Sequence, residues 1–298
     1  MGLSCFDYTF IARLLNLRYS SSVNTTELQK KAAELRVETL RMISKAGSGH
    51  TGGSMSVMDI LVALYYGEHV NSAARGAFGE GKEEDKDYIV LSKGHAVPAQ
   101  YAILADLGYF DRSELDHLRQ VNSMLQGHPC SKTPGITLAT GSLGQGISAA
   151  HGLAMSLKLD KKPNKVFVAL GDGELQEGIV WEAVMSAAHH MTDNLIAFVD
   201  NNGLQIDGPC KKVMSVKPIQ EKFESFGWYV IKVTDGHDYE QLMSAIGKAR
   251  RETRRPTCIW CETVKGKGVP FAEGKVEYHG VALSDEELKV AEEELGKV

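Results

Sequence analysis

The chain has 298 residues, 43% of them hydrophobic and 24% charged, enough to bury a substantial core. A net charge of −5 without a long basic run argues against a general nucleic-acid surface. No stretch approaches the roughly eighteen consecutive apolar residues of a membrane span, and five scattered cysteines fit a reducing, cytoplasmic setting better than a disulfide framework.

Residues 1–24 read as an N-terminal extension that need not be ordered; Asp7 and weak amphipathy argue against a targeting segment. A capped amphipathic helix is expected from Thr25 or Thr26, with Leu28, Ala32, Leu35, Thr39 and Met42 at helical spacing, up to the Gly47-Ser48-Gly49 break. Helix Ser56–Tyr66, a surface loop over 71–86 and strand Tyr88–Leu91 follow, the strand ending at Ser92-Lys93-Gly94-His95. Next come helix Ala96–Leu107, a short helix after Ser113, a glycine-rich turn Gly141–Gly146 and helix Ile147–Leu159. Strand Lys165–Leu170, helix Gln176–His190, strand Leu195–Val199, strand Tyr229–Val233, helix Asp238–Glu252 and strand Thr257–Val264 complete about five parallel strands. The alternation predicts an α/β, doubly wound, mainly parallel sheet flanked by helices, in one domain over residues 25–298. A glycine-punctuated arm from Lys265 to Glu277 and an acidic helix capped by Ser284 end the chain.

The most informative motif is GDGELQEG, Gly171–Gly178, answered thirty positions after Asp172 by Asn202 in VDNNGLQIDG. Each half alone is an ordinary turn. As a strand, helix, strand unit, however, the two place a carboxylate and an amide oxygen at neighbouring carboxyl ends, where open α/β sheets bind ligands. Two such side chains, one backbone carbonyl and a diphosphate would satisfy Mg²⁺, which wants six oxygens near 2.1 Å. Gly173 would let the backbone approach the phosphate, and the helix opening near Gln176 adds N–H groups and a positive dipole end. A dinucleotide fingerprint fails, because Gln176 stands where GxGxxG needs glycine. The lone Cys258/Cys261 pair lies in a strand-like run, where residues three apart face opposite sides, and reads as core.

Four histidines, His50, His95, His128 and His237, directly follow glycine, and His279 directly precedes one. Such loop-tip imidazoles suit proton relay, and at an unperturbed pKa near 6.5 about one quarter would be charged at pH 7. His237, before a helix capped by Asp238, reads as a turn marker.

GDG followed by NN resembles the motif of thiamine-diphosphate enzymes. The words SGHTGGS (Ser48–Ser54), LSKGHAVPAQY (Leu91–Tyr101), QGHP (Gln126–Pro129), TGSLGQGIS (Thr140–Ser148) and YHG (Tyr278–Gly280) resemble, in that order, the amino-terminal, diphosphate-binding domain of transketolase. By motif, the resemblance implies Mg²⁺ on Asp172, Asn202 and the backbone oxygen of Leu204. His95, Gly173 and His279 would reach the diphosphate of thiamine diphosphate. Gly141, Ser142 and Leu143 would touch its rings, with Leu143 and Ile206 as apolar supports. His50 and His279 would exchange protons with substrate hydroxyls, and His128 would bind the ketose end. SGHTGG and GSLGQG depart from the commoner SGHPG and GPLGQG, losing two prolines while keeping the glycines and the histidine. Glu177 resembles an interface glutamate, its role open.

In that family a glutamate, stacking aromatics and sugar-phosphate cations come from a second, pyrimidine-binding domain for which this chain has no room. The resemblance therefore implies one subunit of a split transketolase, inactive until joined by a carboxy-terminal partner subunit. Sugar phosphates would be its substrates, and a heterotetramer or higher assembly its form. Alternatives are a transketolase-like enzyme for an unusual sugar phosphate, a 1-deoxyxylulose-phosphate synthase, a 2-oxo acid dehydrogenase subunit, or a non-catalytic thiamine diphosphate-binding module.

Overall fold

The computed structural model describes residues 24–70 and 86–298. The expected extension over 1–24 lies outside the described residues except for Asn24, as does the expected loop over 71–86 except for Lys86.

Apolar runs become strands β1 (Tyr88–Leu91), β2 (Val166–Gly171), β3 (Leu195–Asn201), β6 (Tyr229–Val233) and β7 (Thr257–Glu262), all parallel, in the order β1-β2-β3-β7-β6. A parallel sheet covered on both faces needs apolar residues at every position, which is why KVFVAL and LIAFV run unbroken. Alternate residues serve opposite layers. Phe167, Ala169, Ile196, Phe198 and Ile259 pack under α1 (Thr25–Ala46), α2 (Thr51–Tyr66), α3 (Val97–Asp106) and α8 (Tyr239–Arg251). Val166, Val168, Leu170, Ala197 and Val199 pack under α4 (Gln145–Leu159), α5 (Gly178–His189) and α7 (Ile219–Ser225). Cys258 and Cys261 fall into these two different layers, as the strand periodicity requires. Each fully buried Val, Leu, Ile or Phe contributes about 1.5–3 kcal/mol.

Helix α1 does begin at Thr25 as expected, capped by Asn24, whose side chain accepts from Thr26 N. Boundaries differ from expectation where tertiary contact decides them. α2 begins at Thr51, five residues before the expected start, because Gly52 and Gly53 are helical and not a break. A Cβ on Gly52 would stand 2.9 Å from the Tyr278 carbonyl oxygen, so glycine there permits helix α2 to touch the C-terminal arm. Fifteen of its sixteen residues are buried, making it the central helix of its layer. The motif helix is divided into a 3₁₀ turn over Gly173–Gln176 and then α5.

The stretch between β3 and β6 escapes the sequence pattern. A two-residue hairpin joins β4 (Leu204–Gln205) to β5 (Gly208–Pro209), followed by a single turn α6 (Cys210–Val213) and by α7. The acidic helix α9 (Asp285–Leu295) carries the expected cap: Ser284 and Glu287 form a reciprocal capping box, and Ala291 and Leu295 pack on Leu40 and Met55.

Candidate functional site

The register pairs Gly171 with Asp200, and Asp200 with Cys261, so the loops after β2, β3 and β7 leave one edge side by side. Asp172 comes next after Gly171. Its Oδ1 accepts from Gly173 N at 3.0 Å and its Oδ2 from Gly203 N at 2.9 Å, tying the two loops together. The side-chain oxygen of Asn202 accepts from Leu204 N at 3.1 Å. Asp172, Asn202 and Leu204 line one cavity of about 520 Å³.

This donor set fits a hard divalent cation. It offers a carboxylate, an amide and a carbonyl, all oxygens. Burial, and then the neighbouring charge of Asp200, push the Asp172 carboxyl above its ordinary range, the response of a desolvated acid that a cation would relieve. A positive group already stands there: the Lys265 ammonium donates to the Leu204 carbonyl oxygen at 3.1 Å. Lys265 is itself buried, and burial together with Lys93 brings its pKa down to about 8.

Four of the five glycine-flanked histidines converge beside this set. Ring centroids lie 5.0 Å apart for His50 and His95, 5.6 Å for His50 and His279, 5.5 Å for His95 and His279, and 6.5 Å for His50 and His128. They come from the α1–α2 junction, the end of β1, the loop before α4 and the C-terminal arm. The expectation of a quarter-charged imidazole does not hold in this setting. Burial, followed by the Arg119 cation, lowers His50 to about 4; burial, followed by Lys265, lowers His279 to about 3; His95 and His128 are lowered too, mainly by burial. Each shift favours the neutral imidazole at pH 7. Lys265 Nζ lies 2.7 Å from His279 Nδ1, which makes that nitrogen the acceptor and leaves the proton on Nε2. His50 Nδ1 is buried without a hydrogen-bond partner among the described residues.

The remaining expected contacts fall on the open side. Thr140 Oγ1 donates to the Leu91 carbonyl at 2.6 Å, bringing Gly141 to the end of β1, where a Cβ would lie 3.3 Å from the His128 ring. Ser142 is exposed and Leu143 half-buried. Ile206, at the tip of the hairpin, is 63% exposed. Glu177 is exposed at the start of α5.

His237 stays apart, and it does more than mark a turn. Its Nδ1 meets Asp59 Oδ2 at 2.6 Å and its Nε2 accepts from Val264 N at 2.9 Å. Asp59 also takes the Arg36 guanidinium at 2.5 Å and the Tyr239 hydroxyl at 2.9 Å. Asp238 caps α8 as expected.

Sequence reasoning passes over several residues that build the site. Lys93 is buried and donates to Asp200 Oδ2 at 2.5 Å and to the Gly53 carbonyl at 3.2 Å. Asp200 also accepts from Ser56 Oγ at 2.6 Å and from the Thr263 hydroxyl, so one ion pair joins α2, β1, β3 and the end of β7. Arg119 donates to Ser48 Oγ at 2.6 Å, two residues before His50. The signal for Lys93 lies in view, inside the SKGH word, but its partner is distant in sequence.

A parallel sheet with an oxygen donor set and neutral imidazoles at its carboxyl edge has the form of a thiamine diphosphate-binding domain. The chain belongs to the transketolase family: residues 28–297 match the family described as "Transketolase, thiamine diphosphate binding domain". It is 42% identical over 272 residues to the 6-deoxy-6-sulfo-D-fructose transketolase subunit of Clostridium sp. (strain MSTE9), covering 91% of this chain and 97% of that protein. It is 35% identical over 275 residues to an apulose-4-phosphate transketolase subunit from Phocaeicola vulgatus, covering 92% and 95%. The crystal structure of transketolase from Campylobacter jejuni superposes with a TM-score of 0.82 at 34% identity, over 92% of this chain and 43% of that one. The chain is therefore a transketolase-type transferase component whose fold is the cofactor-binding one.

Proposed function

We propose that the chain is the diphosphate-binding subunit of a split transketolase, moving a two-carbon ketol unit from a ketose phosphate to an aldose phosphate together with a pyrimidine-binding partner subunit. The observation that carries this reading is the packing of His50, His95, His128 and His279 beside the Asp172, Asn202 and Leu204 oxygens. A module that only senses the cofactor needs the oxygens but not four imidazoles. Asp172, Asn202 and the Leu204 carbonyl would hold Mg²⁺. Gly173, His95 and His279 would meet the diphosphate, and Gly141, Ser142, Leu143 and Ile206 the rings. Thiamine diphosphate, when bound, supplies the carbanion chemistry that ketol transfer requires.

The chain's own part is binding and proton handling. Neutral imidazoles can donate at one nitrogen and accept at the other, so His50 and His279 can move protons at substrate hydroxyls without first shedding a charge. The Nε2–H of His279 is the donor, its Nδ1 being occupied by Lys265. His128, exposed at the mouth, would orient the ketose end.

A partner subunit is supported by two relatives matched over nearly their whole length, both named as subunits. Those same two are named for uncommon sugars, which favours a second reading within the proposal: an unusual sugar phosphate as substrate. A one-domain arrangement over 25–298, a place in pentose phosphate metabolism, cytoplasmic location and heterotetramer assembly belong to the proposal as well. No helix among the described residues is long and apolar enough to cross a membrane. The deciding experiment co-purifies the chain with the candidate pyrimidine-binding partner, then assays ketol transfer over a panel of ketose phosphates. Activity of the pair, absent from either chain alone, is expected; full activity from this chain alone would overturn the split-site reading.

A further inference from the structure

Glu174 belongs to neither the oxygen donor set nor the histidine cluster, yet its carboxylate is bonded to segments that lead into both. It is 2% exposed. Oε1 accepts from Gly144 N at 2.8 Å and from the Ser92 hydroxyl, and Oε2 accepts from Gly171 N at 3.1 Å. The three donors come from three segments: the residue after β1, the last residue of β2, and the residue that opens α4. Gly144 directly follows Gly141-Ser142-Leu143, and Gly171 directly precedes Asp172-Gly173.

We infer that Glu174 is a positioning residue: it holds the Gly141-Ser142-Leu143 segment at a fixed offset from the Asp172-Gly173 turn, and so sets the spacing between the ring-contacting and metal-holding parts of the site. The inference rests on the thiamine diphosphate reading given above. Chemistry selects the side chain. Three donors converge on two oxygens, which an ionised carboxyl satisfies completely; an amide keeps one oxygen and would turn an N–H toward a backbone N–H. The segment it grips has little freedom to compensate. Gly144 lies at φ +85°, and a Cβ there would stand 2.5 Å from Ile179 Cγ2, so no side chain fits where the loop enters α4.

The test compares Glu174→Gln with the unaltered full chain and with Asp172→Ala, each assembled with the pyrimidine-binding partner subunit, using thiamine diphosphate in excess MgCl2 as the calorimetric probe and amide hydrogen exchange as a readout independent of activity. Glu174→Gln is expected to weaken thiamine diphosphate about tenfold and to speed exchange at Gly144 and Gly171 by a similar factor, the scale of one lost charge-assisted hydrogen bond. Asp172→Ala is expected to lose binding while the Gly144 amide stays protected. Unchanged exchange at Gly144 in Glu174→Gln would overturn the anchoring, and faster exchange with unchanged affinity would overturn the positioning role. If the assembled pair with the unaltered chain does not bind thiamine diphosphate, the functional assignment falls, while the exchange arm still decides whether Glu174 holds the loop. Glu174→Asp, one methylene shorter with the charge kept, gives the same readouts should the glutamine variant not fold.

Discussion

The Lys265 ammonium donates to the carbonyl oxygen of Leu204 across 3.1 Å, putting a protein-borne cation on one of the three oxygens expected to hold a metal. A bound Mg²⁺ would compete for that oxygen, so the site is charged with or without it. Metal binding should then be read against an organised apo state. With MgCl2 and thiamine diphosphate present, the unaltered chain should melt at higher temperature, since any ligand of the folded state alone stabilises it by mass action. Asp172→Ala should abolish that rise. A retained rise, by differential scanning calorimetry, would remove Asp172 from the donor set.

The neutral histidines make stability depend on acid. His50 and His279 have folded pKa values of about 4 and about 3, against an ordinary value of 6.5. Between these limits the unfolded chain binds more protons than the folded one, so stability is full above about pH 6.5 and falls as pH drops toward 4 and then 3. Melting temperature should track that window. His50→Gln should flatten the upper part of the slope, and an unchanged slope would contradict the depressed pKa of His50.

Lys93 and Asp200 form an ion pair with both side chains almost wholly out of water, 2% and 0% exposed. Removing one partner leaves an uncompensated buried charge. Lys93→Met is expected to cost about 3–5 kcal/mol in urea denaturation. The double change Lys93→Met, Asp200→Leu should recover part of the loss, and a double variant no more stable than the single one would count against the pair as the cause.

His237→Ala tests the second buried network. The change removes the acceptor of Val264 N and one of the partners of Asp59, at the root of the arm that carries Lys265 and His279. Loss of about 1–3 kcal/mol is expected from a buried donor left unsatisfied. The amide of Val264 should exchange faster, and an unchanged rate would show that water or another group replaces the imidazole.

Much of this architecture is written in local pattern. KVFVAL and LIAFV announce doubly buried strands, and the alternation of Phe167, Ala169 against Val168, Leu170 settles which layer each serves. His50, His95, His128 and His279 stand out because each abuts a glycine in a loop word, and the fold does bring them together. Their charge state is not legible there, because it follows from burial and from Arg119 and Lys265, neighbours that only tertiary structure supplies. Glu174 and Asp200 are opaque for the same reason: a lone acid in a turn or a strand looks solvated until its donors arrive from elsewhere. The start of α2 is hidden because glycine ordinarily weakens a helix, and here close approach to Tyr278 outweighs that cost.

The hydroxyl of Thr51 donates to the carbonyl of Val281 at 2.7 Å, joining residues 230 positions apart, and Gly266 N bonds to Gly52 O in the same seam. The central helix of one layer is therefore stitched to a segment synthesised more than two hundred residues later. Contacts of such long sequence separation are slow to form, because loop-closure entropy is lost before they are made. During synthesis the sheet can assemble while His50 still lacks His279, and the imidazole cluster closes only once the arm that carries His279 has been made.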